Sequence, residues 1–189
     1  MGKLIGIIAE DNSDVGVIEA LVAAVAPHAK FSVKKHVGHG SGKIKSKCRQ
    51  WAEDLYRNGC KALILVQDLD SKDHVSEERI IIASLKSCPI MKRSIIIPIQ
   101  MIEAWLLADS EAIQRALNLR ICPKPVSSPE LLPDPKRKLE EMISTCSSKE
   151  KRYINTIHNP KIAREIDVSK LRACSSFRPL ETFAKEIFA

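Results

Sequence analysis

The chain has 189 residues, 44% hydrophobic and 28% charged, with a formal net charge of +7 and a pI near 9.1. That length can bury one sizeable core, and the composition excludes a disordered or collagen-like protein. No apolar run reaches the roughly 20 residues that a membrane-spanning helix needs. The six cysteines (48, 60, 88, 122, 146, 174) are dispersed with no CxxC pair, which argues against structural zinc and against a disulfide framework.

The N-terminus enters a strand pattern directly, without signal-peptide architecture, so a cytoplasmic location is expected. Leu4-Ile5-Gly6-Ile7-Ile8-Ala9 predicts a strand over 3–9 that delivers Glu10, Asp11 and, one helical turn on, Asp14. A helix follows over 13–25, with Val15, Ile18, Leu21, Val22 and Val25 on one face and Pro27 after its end. Asp14 lies in its first turn, favourable near a helix N-terminus and close to Glu10. Taken alone, Asp11 or Asp14 reads as a helix cap.

Alternating apolar and polar residues predict a second strand over 31–37. From residue 30 to residue 49 there are seven Lys or Arg residues and no acid, a one-sidedness that points to phosphate binding. Within it, Gly38-His39-Gly40-Ser41-Gly42-Lys43 fails the Walker A pattern. Only three residues separate Gly38 from Gly42, and Ile44 replaces the hydroxyl residue that would hold magnesium. A glycine loop before a basic helix N-terminus can still hold a backbone phosphate; a plain surface loop is the competing reading. The helix runs over 43–58, closed by Gly59, and its Lys43, Lys45, Lys47 and Arg49 are the expected nucleic-acid contacts. His36 and His39, flanking the loop, carry a weaker expectation.

The apolar run Ala62-Leu63-Ile64-Leu65-Val66 belongs to a third strand over 61–67 and leads into Asp68-Leu69-Asp70. On extended chain, carboxylates at i and i+2 point the same way. At the carboxyl end of a buried parallel strand they face the edge where open α/β sheets place ligands. Two anions held so close call for a divalent cation between them. A helix over 76–87 and a fourth apolar strand over 94–99 complete a β-α-β-α-β-α-β alternation. The fold expected is therefore α/β, with a mostly parallel four-stranded sheet covered by helices on both faces.

Beyond it, 101–117 reads as one helix carrying Glu103, placed to ligate a metal directly or through water, with an ordinary exposed helix carboxylate as the competing reading, and Asp109, which looks more like a cap. A proline-rich connector (Pro123, Pro125, Pro129, Pro133, Pro135) separates this half from three or four short helices. These form a helical C-terminal extension over 111–189, expected to pack on the sheet domain of 1–110. Residues 1–109 hold 15 basic and 13 acidic side chains, while 110–189 hold 15 and 10, so the surplus lies mostly in the extension. There, His158 is expected just before a helix opening at Lys161, with a phosphate contact conceivable. Ser175-Ser176-Phe177-Arg178 reads as a turn and cap before the last helix.

The acidic run Ala9-Glu10-Asp11-Asn12-Ser13-Asp14 and the later Asp68-Leu69-Asp70 resemble the Toprim domain of topoisomerases, primases and the overcoming-lysogenization-defect nucleases. The segment Glu103-Ala104-Trp105-Leu106-Leu107-Ala108-Asp109, with Ile166-Asp167 and Ser176-Phe177, looks like a prokaryotic family of small Toprim-like proteins. The chain departs from the Toprim pattern where Asp11, rather than glycine, follows Glu10. The resemblance implies a Toprim-like, Rossmann-like fold over about residues 1–110. It makes Glu10 a metal-proximal residue or general acid/base and Asp68 and Asp70 ligands of Mg²⁺ (or Mn²⁺), with Asp14 on a second metal.

The reading adopted is a metal-dependent nuclease acting on DNA or RNA, with Glu10, Asp68 and Asp70 catalytic and Glu10, Asp14, Asp68, Asp70 and Glu103 about the metal. A setting in antiphage defence belongs to the same reading. Two alternatives stay open. One is a catalytically silent nucleic-acid-binding partner of an ATPase; the other is a Mg²⁺-dependent nucleotide- or phosphosugar-binding enzyme of flavodoxin-like type.

Overall fold

The structure, a computed structural model, describes residues 2–70, 73–148 and 151–189. Four runs rich in Ile, Leu and Val form β1 (Lys3–Ala9), β2 (Phe31–Val37), β3 (Ala62–Val66) and β4 (Lys92–Ile96). All pair in parallel, in the order β2-β1-β3-β4. The fold is a Rossmann-like α/β fold, as the alternation of elements predicts.

Side chains alternate across the strands, so the sheet feeds two cores. Ile5, Ile7 and Ala9 of β1 and Ala62, Ile64 and Val66 of β3 face one core, together with Val17, Ile18 and Leu21 of α1 (Asn12–Val25). Ile8, Leu63 and Leu65 face the other. There they meet Ile44, Cys48, Ala52 and Leu55 of α2 (Ser41–Arg57) and Ile81 of α3 (His74–Ser84). All six cysteines are free. Among the described residues, no helix is long and apolar enough to cross a membrane.

The helix expected over 101–117 is broken. α4 (Glu103–Leu106) stops, and α5 (Ser110–Leu117) restarts behind Asp109, whose carboxylate accepts from Ala112 N–H at 3.1 Å. A side chain that bonds the backbone ahead of it opens a new helix instead of continuing the old one. The fourth strand also ends early, at Ile96, just before Ile97-Pro98. Beyond the connector come α6 (Pro135–Cys146), α7 (Asn155–Glu165) and α8 (Arg178–Phe188). α7 opens at Asn155 instead of Lys161, so His158 lies inside it, its Nδ1 accepting from Ile154 N–H at 3.0 Å.

The helices after the connector share the first core with the sheet through Leu139, Ile143, Ile162, Phe177 and Leu180. The tightest approach is between α1 and α7, where a Cβ on Gly16 would lie 2.6 Å from Pro160 Cγ. Gly16→Ala gains up to about 1 kcal/mol of helix propensity but incurs about 1–3 kcal/mol of overpacking against the proline ring. The variant should therefore unfold at a lower denaturant midpoint with an unchanged m value. Adding Pro160→Ala should recover most of the loss, a coupling that a double-mutant cycle in urea measures.

Candidate active site

A parallel sheet sends the carboxyl ends of all its strands to one edge, and here that edge collects acids. β1 ends into Glu10 and Asp11, and β3 leads through Gln67 to Asp68. The crossover after β4 delivers Glu103 at the start of α4. Together with Asp14 of α1 they line a cleft of about 420 Å³, whose other walls are His39, Gly40, Met101, Lys136 and Asn155.

Four of these acids have structural anchors. Asp11 caps α1, accepting from Ser13 N–H, and Asp14 Oδ2 accepts from Asp11 N–H at 3.0 Å, closing a capping box. Asp68 Oδ1 accepts from Ile102 N–H at 3.0 Å. Glu103, 5% exposed, receives Asn159 N–H at 3.1 Å on Oε1, and the Tyr153 phenol shares its one proton between that oxygen at 3.2 Å and Asn159 Oδ1 at 2.7 Å. Asn159 also donates to Ser13 Oγ at 2.9 Å, and Asn155 donates to Asp11 Oδ2 at 3.0 Å. α7 and the chain just before it thus supply the amides and the phenol that hold the acids of the sheet edge. Among the described residues, the second oxygens of Asp14, Asp68 and Glu103 receive no hydrogen bond.

The cluster is electrostatically tense. Burial, and then the charge of Asp11, pushes the Asp14 carboxyl up to about 7; Glu103 and Glu10 add to this, while the Asp11 amide opposes it. Burial likewise drives Asp68 well above the ordinary carboxylate range, with Asp14, Glu103, Glu10 and finally Asp70 adding repulsion. Burial and the neighbouring Glu103 also raise the Tyr153 phenol, which keeps it a donor.

Asp70 does not line the cleft. Leu69 and Asp70 lie beyond the end of β3, and Asp70 turns into the left-handed region (φ 52°), where it bridges Gln100 (φ 62°) with its N–H donating to Gln100 O at 2.7 Å. Alternation along extended chain therefore stops before it can align Asp70 with Asp68. Asp70 is exposed and acts on Asp68 through its charge.

The glycine loop folds over the end of β1: Gly38 N–H donates to Ala9 O and His39 N–H to Glu10 O. His39 (φ 53°) and Gly40 (φ 125°) then turn the chain into α2, whose N-terminus is capped by no side chain among the described residues. His36 lies elsewhere, stacked on Trp51 and bonded to Asp54 at 2.9 Å.

The basic residues of α2 do not act as one set. A helix places Lys43 and Lys47 on one face and Lys45 and Arg49 on another. Arg49 pairs with Glu53 at 3.1 Å and Lys47 reaches Gln50. Lys45 pairs at 2.7 Å with Glu77, a buried carboxylate that also accepts from Gln67. Lys43 is exposed and, among the described residues, has no ion pair. Asp109 is a fully buried anchor: against the effect of burial, Lys170 and the amides of Asp167 and Ala112 hold its carboxyl low.

Sequence reasoning misses Lys136, Tyr153, Asn155 and Asn159, all from the half after the connector. The one local sign was Asp134-Pro135, a cap followed by proline at the first helical position, which fixes where α6 and hence Lys136 begin.

The donor chemistry suits a hard divalent cation, since five of the residues that line the cleft carry carboxylates. Among the described residues, no three carboxylate, histidine or cysteine groups are close enough to hold an ion as they stand. Mg²⁺ usually takes only one or two carboxylates and keeps water or phosphate at its other positions.

The raised Asp14 carboxyl sets a pH dependence. The folded state keeps its proton up to about pH 7, whereas an unfolded aspartate releases it near pH 4. The unfolded chain therefore binds fewer protons in this window, and the Asp14 contribution to stability falls as pH rises from about 4 to 7. Asp14→Asn, which can still accept from Asp11 N–H, should remove that loss. The difference in urea midpoint between wild type and variant should widen from pH 4 to pH 7, and Mg²⁺ should narrow it for the wild type.

No curated protein and no solved structure matches the chain. A family model described as a domain of unknown function (DUF4276) matches residues 9–183. That span includes every cleft residue from Glu10 to Asn155 and the connector between the two halves, and the chain belongs to this family.

Proposed function

We propose that the protein is a Toprim-like, metal-dependent nuclease that hydrolyses phosphodiester bonds in DNA or RNA. One observation carries the reading: Glu10, Asp14, Asp68 and Glu103 line one cleft at the carboxyl edge of a parallel sheet, and among the described residues one carboxylate oxygen each of Asp14, Asp68 and Glu103 receives no hydrogen bond. Such a cluster is unfavourable in itself and is relieved by a cation.

One or two carboxylates from among Asp14, Asp68 and Glu103 would hold a Mg²⁺ or Mn²⁺ ion, with water or phosphate at its other positions and Asp70 adding negative charge from outside the cleft. An ion held there would supply polarisation of the scissile phosphate and activation of water. Glu10 is placed to take or give a proton at the cleft edge, and its backbone carbonyl fixes the His39 loop. The N-terminus of α2 and Lys43 offer a phosphate contact on one side, and Lys136 offers one on the other. The same reading places the protein in the cytoplasm, in a prokaryotic defence setting.

A second reading, a silent nucleic-acid-binding partner of an ATPase, draws on the structural use of the acids. Asp14 closes a capping box and Glu103 is held by Tyr153 and Asn159, so the cluster has reasons to exist without catalysis. The two separate in one experiment. Plasmid, single-stranded DNA and tRNA are incubated with Mg²⁺ or Mn²⁺, with and without chelator. Metal-dependent cleavage is expected, lost in Asp68→Asn and in Glu103→Gln and only weakened in Asp70→Asn. Binding without cleavage in any metal favours the silent partner.

The basic helix gives an independent check. Lys43→Ala plus Lys47→Ala should flatten the log–log salt dependence of duplex binding by about 1.8, from about 0.9 per phosphate contact. Lys45→Ala should instead cost about 2 kcal/mol of stability, because it strips a charge-assisted bond from buried Glu77. An unchanged salt slope in the double variant would move the nucleic-acid surface to the helices after the connector.

A further inference from the structure

The proline-rich connector carries Glu130, which lies in a single 3-10 turn (Pro129–Leu131) far in sequence from the acids of the cleft. Its carboxylate takes four hydrogen bonds from two consecutive residues. Oε2 accepts from Ser175 N–H at 2.8 Å and from Ser175 O–H at 3.0 Å; Oε1 accepts from Ser176 N–H at 3.0 Å and from the Ser176 hydroxyl. Ser176 is 9% exposed, and its Oγ is also approached by Trp105 Nε1–H at 2.8 Å and Ile99 N–H at 3.3 Å.

The proton count fixes the direction of this network. Indole and backbone N–H groups only donate, so Ser176 Oγ accepts from both Trp105 and Ile99. Its single proton must then go to the carboxylate of Glu130, the remaining acceptor. Ile99 and Trp105 bracket the crossover from β4 to α4. That same crossover presents Ile102 N–H to Asp68 and carries Glu103. Trp105 is fully buried and meets Phe177 edge-on, with ring centroids 5.5 Å apart.

We propose that Glu130 is a positioning residue for the acidic cleft: through Ser176 it sets the β4–α4 crossover and hence the placement of Asp68 and Glu103. Only the metal-affinity readout of its test rests on the proposed nuclease reading. The consequence is a requirement for a carboxylate. A glutamine of nearly the same shape has one acceptor oxygen instead of two, so its amide turns N–H groups toward the donors of either Ser175 or Ser176 and two of the four bonds are lost whichever way it lies. Glu130→Gln therefore weakens the pin without removing bulk.

The test compares amide hydrogen exchange at Ile102, in the crossover, with exchange at Ile64, in the middle of the sheet. In Glu130→Gln, exchange at Ile102 should speed up more than at Ile64, because the crossover loosens while the sheet holds. In a Trp51→Phe background, the Trp105 emission should shift to the red. Mg²⁺ affinity by calorimetry should fall about 10- to 100-fold, as when a partner that orients a ligand is lost. Ser176→Ala removes the relay without touching the connector and should speed exchange at Ile102 in the same way.

Equal loss of protection at Ile102 and Ile64, with unchanged emission, would show a role in general stability alone and overturn the proposal. So would Ser176→Ala with Ile102 still protected. A wild type that binds no Mg²⁺ overturns the metal reading instead, and the exchange comparison then decides the positioning role by itself.

Discussion

Like charges gathered at the carboxyl edge of a parallel sheet repel, and burial makes the repulsion stronger. Asp14 and Asp68 respond by holding their protons far above the ordinary carboxylate range. What keeps the cluster from forcing the edge apart is a set of directed donors to Asp14, Asp68 and Glu103. The Asp11 amide serves Asp14, the Ile102 amide serves Asp68, and Tyr153 with Asn159 serves Glu103. The rest of the molecule is arranged to keep those donors in place.

That constraint explains why the helices after the connector are not an appendage. α7 must lie close enough to α1 for Asn159 to reach both Ser13 and Glu103, and Gly16 opposite Pro160 permits the approach. The crossover that offers Ile102 N–H is in turn held from the connector by Glu130 and Ser176. Covering the first core and holding the acids are one act of packing, since Leu139, Ile162 and Phe177 fill the same core as Ile5 and Ile64. A sheet half cut off near residue 110 would lose both at once.

How much of this the sequence discloses follows from how local each signal is. The central strands β1 and β3 are legible because parallel strands buried on both faces read as unbroken apolar runs, whereas β2 shows by alternation, and β1 and β2 fall at 3–9 and 31–37 as read. Glu10, Asp14, Asp68 and Glu103 are legible as cleft residues because strand ends and helix starts in this topology share one edge. Asp70 is not, because its left-handed backbone depends on the bridge to Gln100, a partner thirty residues away. The pairing of Lys45 with Glu77 is hidden for a similar reason: α2 and α3 meet only in three dimensions, and a basic run looks uniform until helical geometry splits it into two faces. Tyr153, Asn155 and Asn159 carry no local mark at all, since a tyrosine or asparagine becomes informative only once its buried acceptor is known.

The structural use of each acid does not compete with a role in the cleft, because a carboxylate has two oxygens. One oxygen of Asp14 closes a cap, one of Asp68 accepts a backbone amide, and one of Glu103 takes a phenol and an amide. Among the described residues the other oxygen of each receives no hydrogen bond, and all three side chains line the cavity. Had these acids served the fold alone, neutral acceptors such as asparagine or glutamine would give the same hydrogen bonds without the repulsion. Keeping four acidic side chains where fewer charges would be more stable is the pattern of a site that spends stability on function. The fold-supporting bonds then have a second effect, since they fix the direction in which each remaining oxygen points.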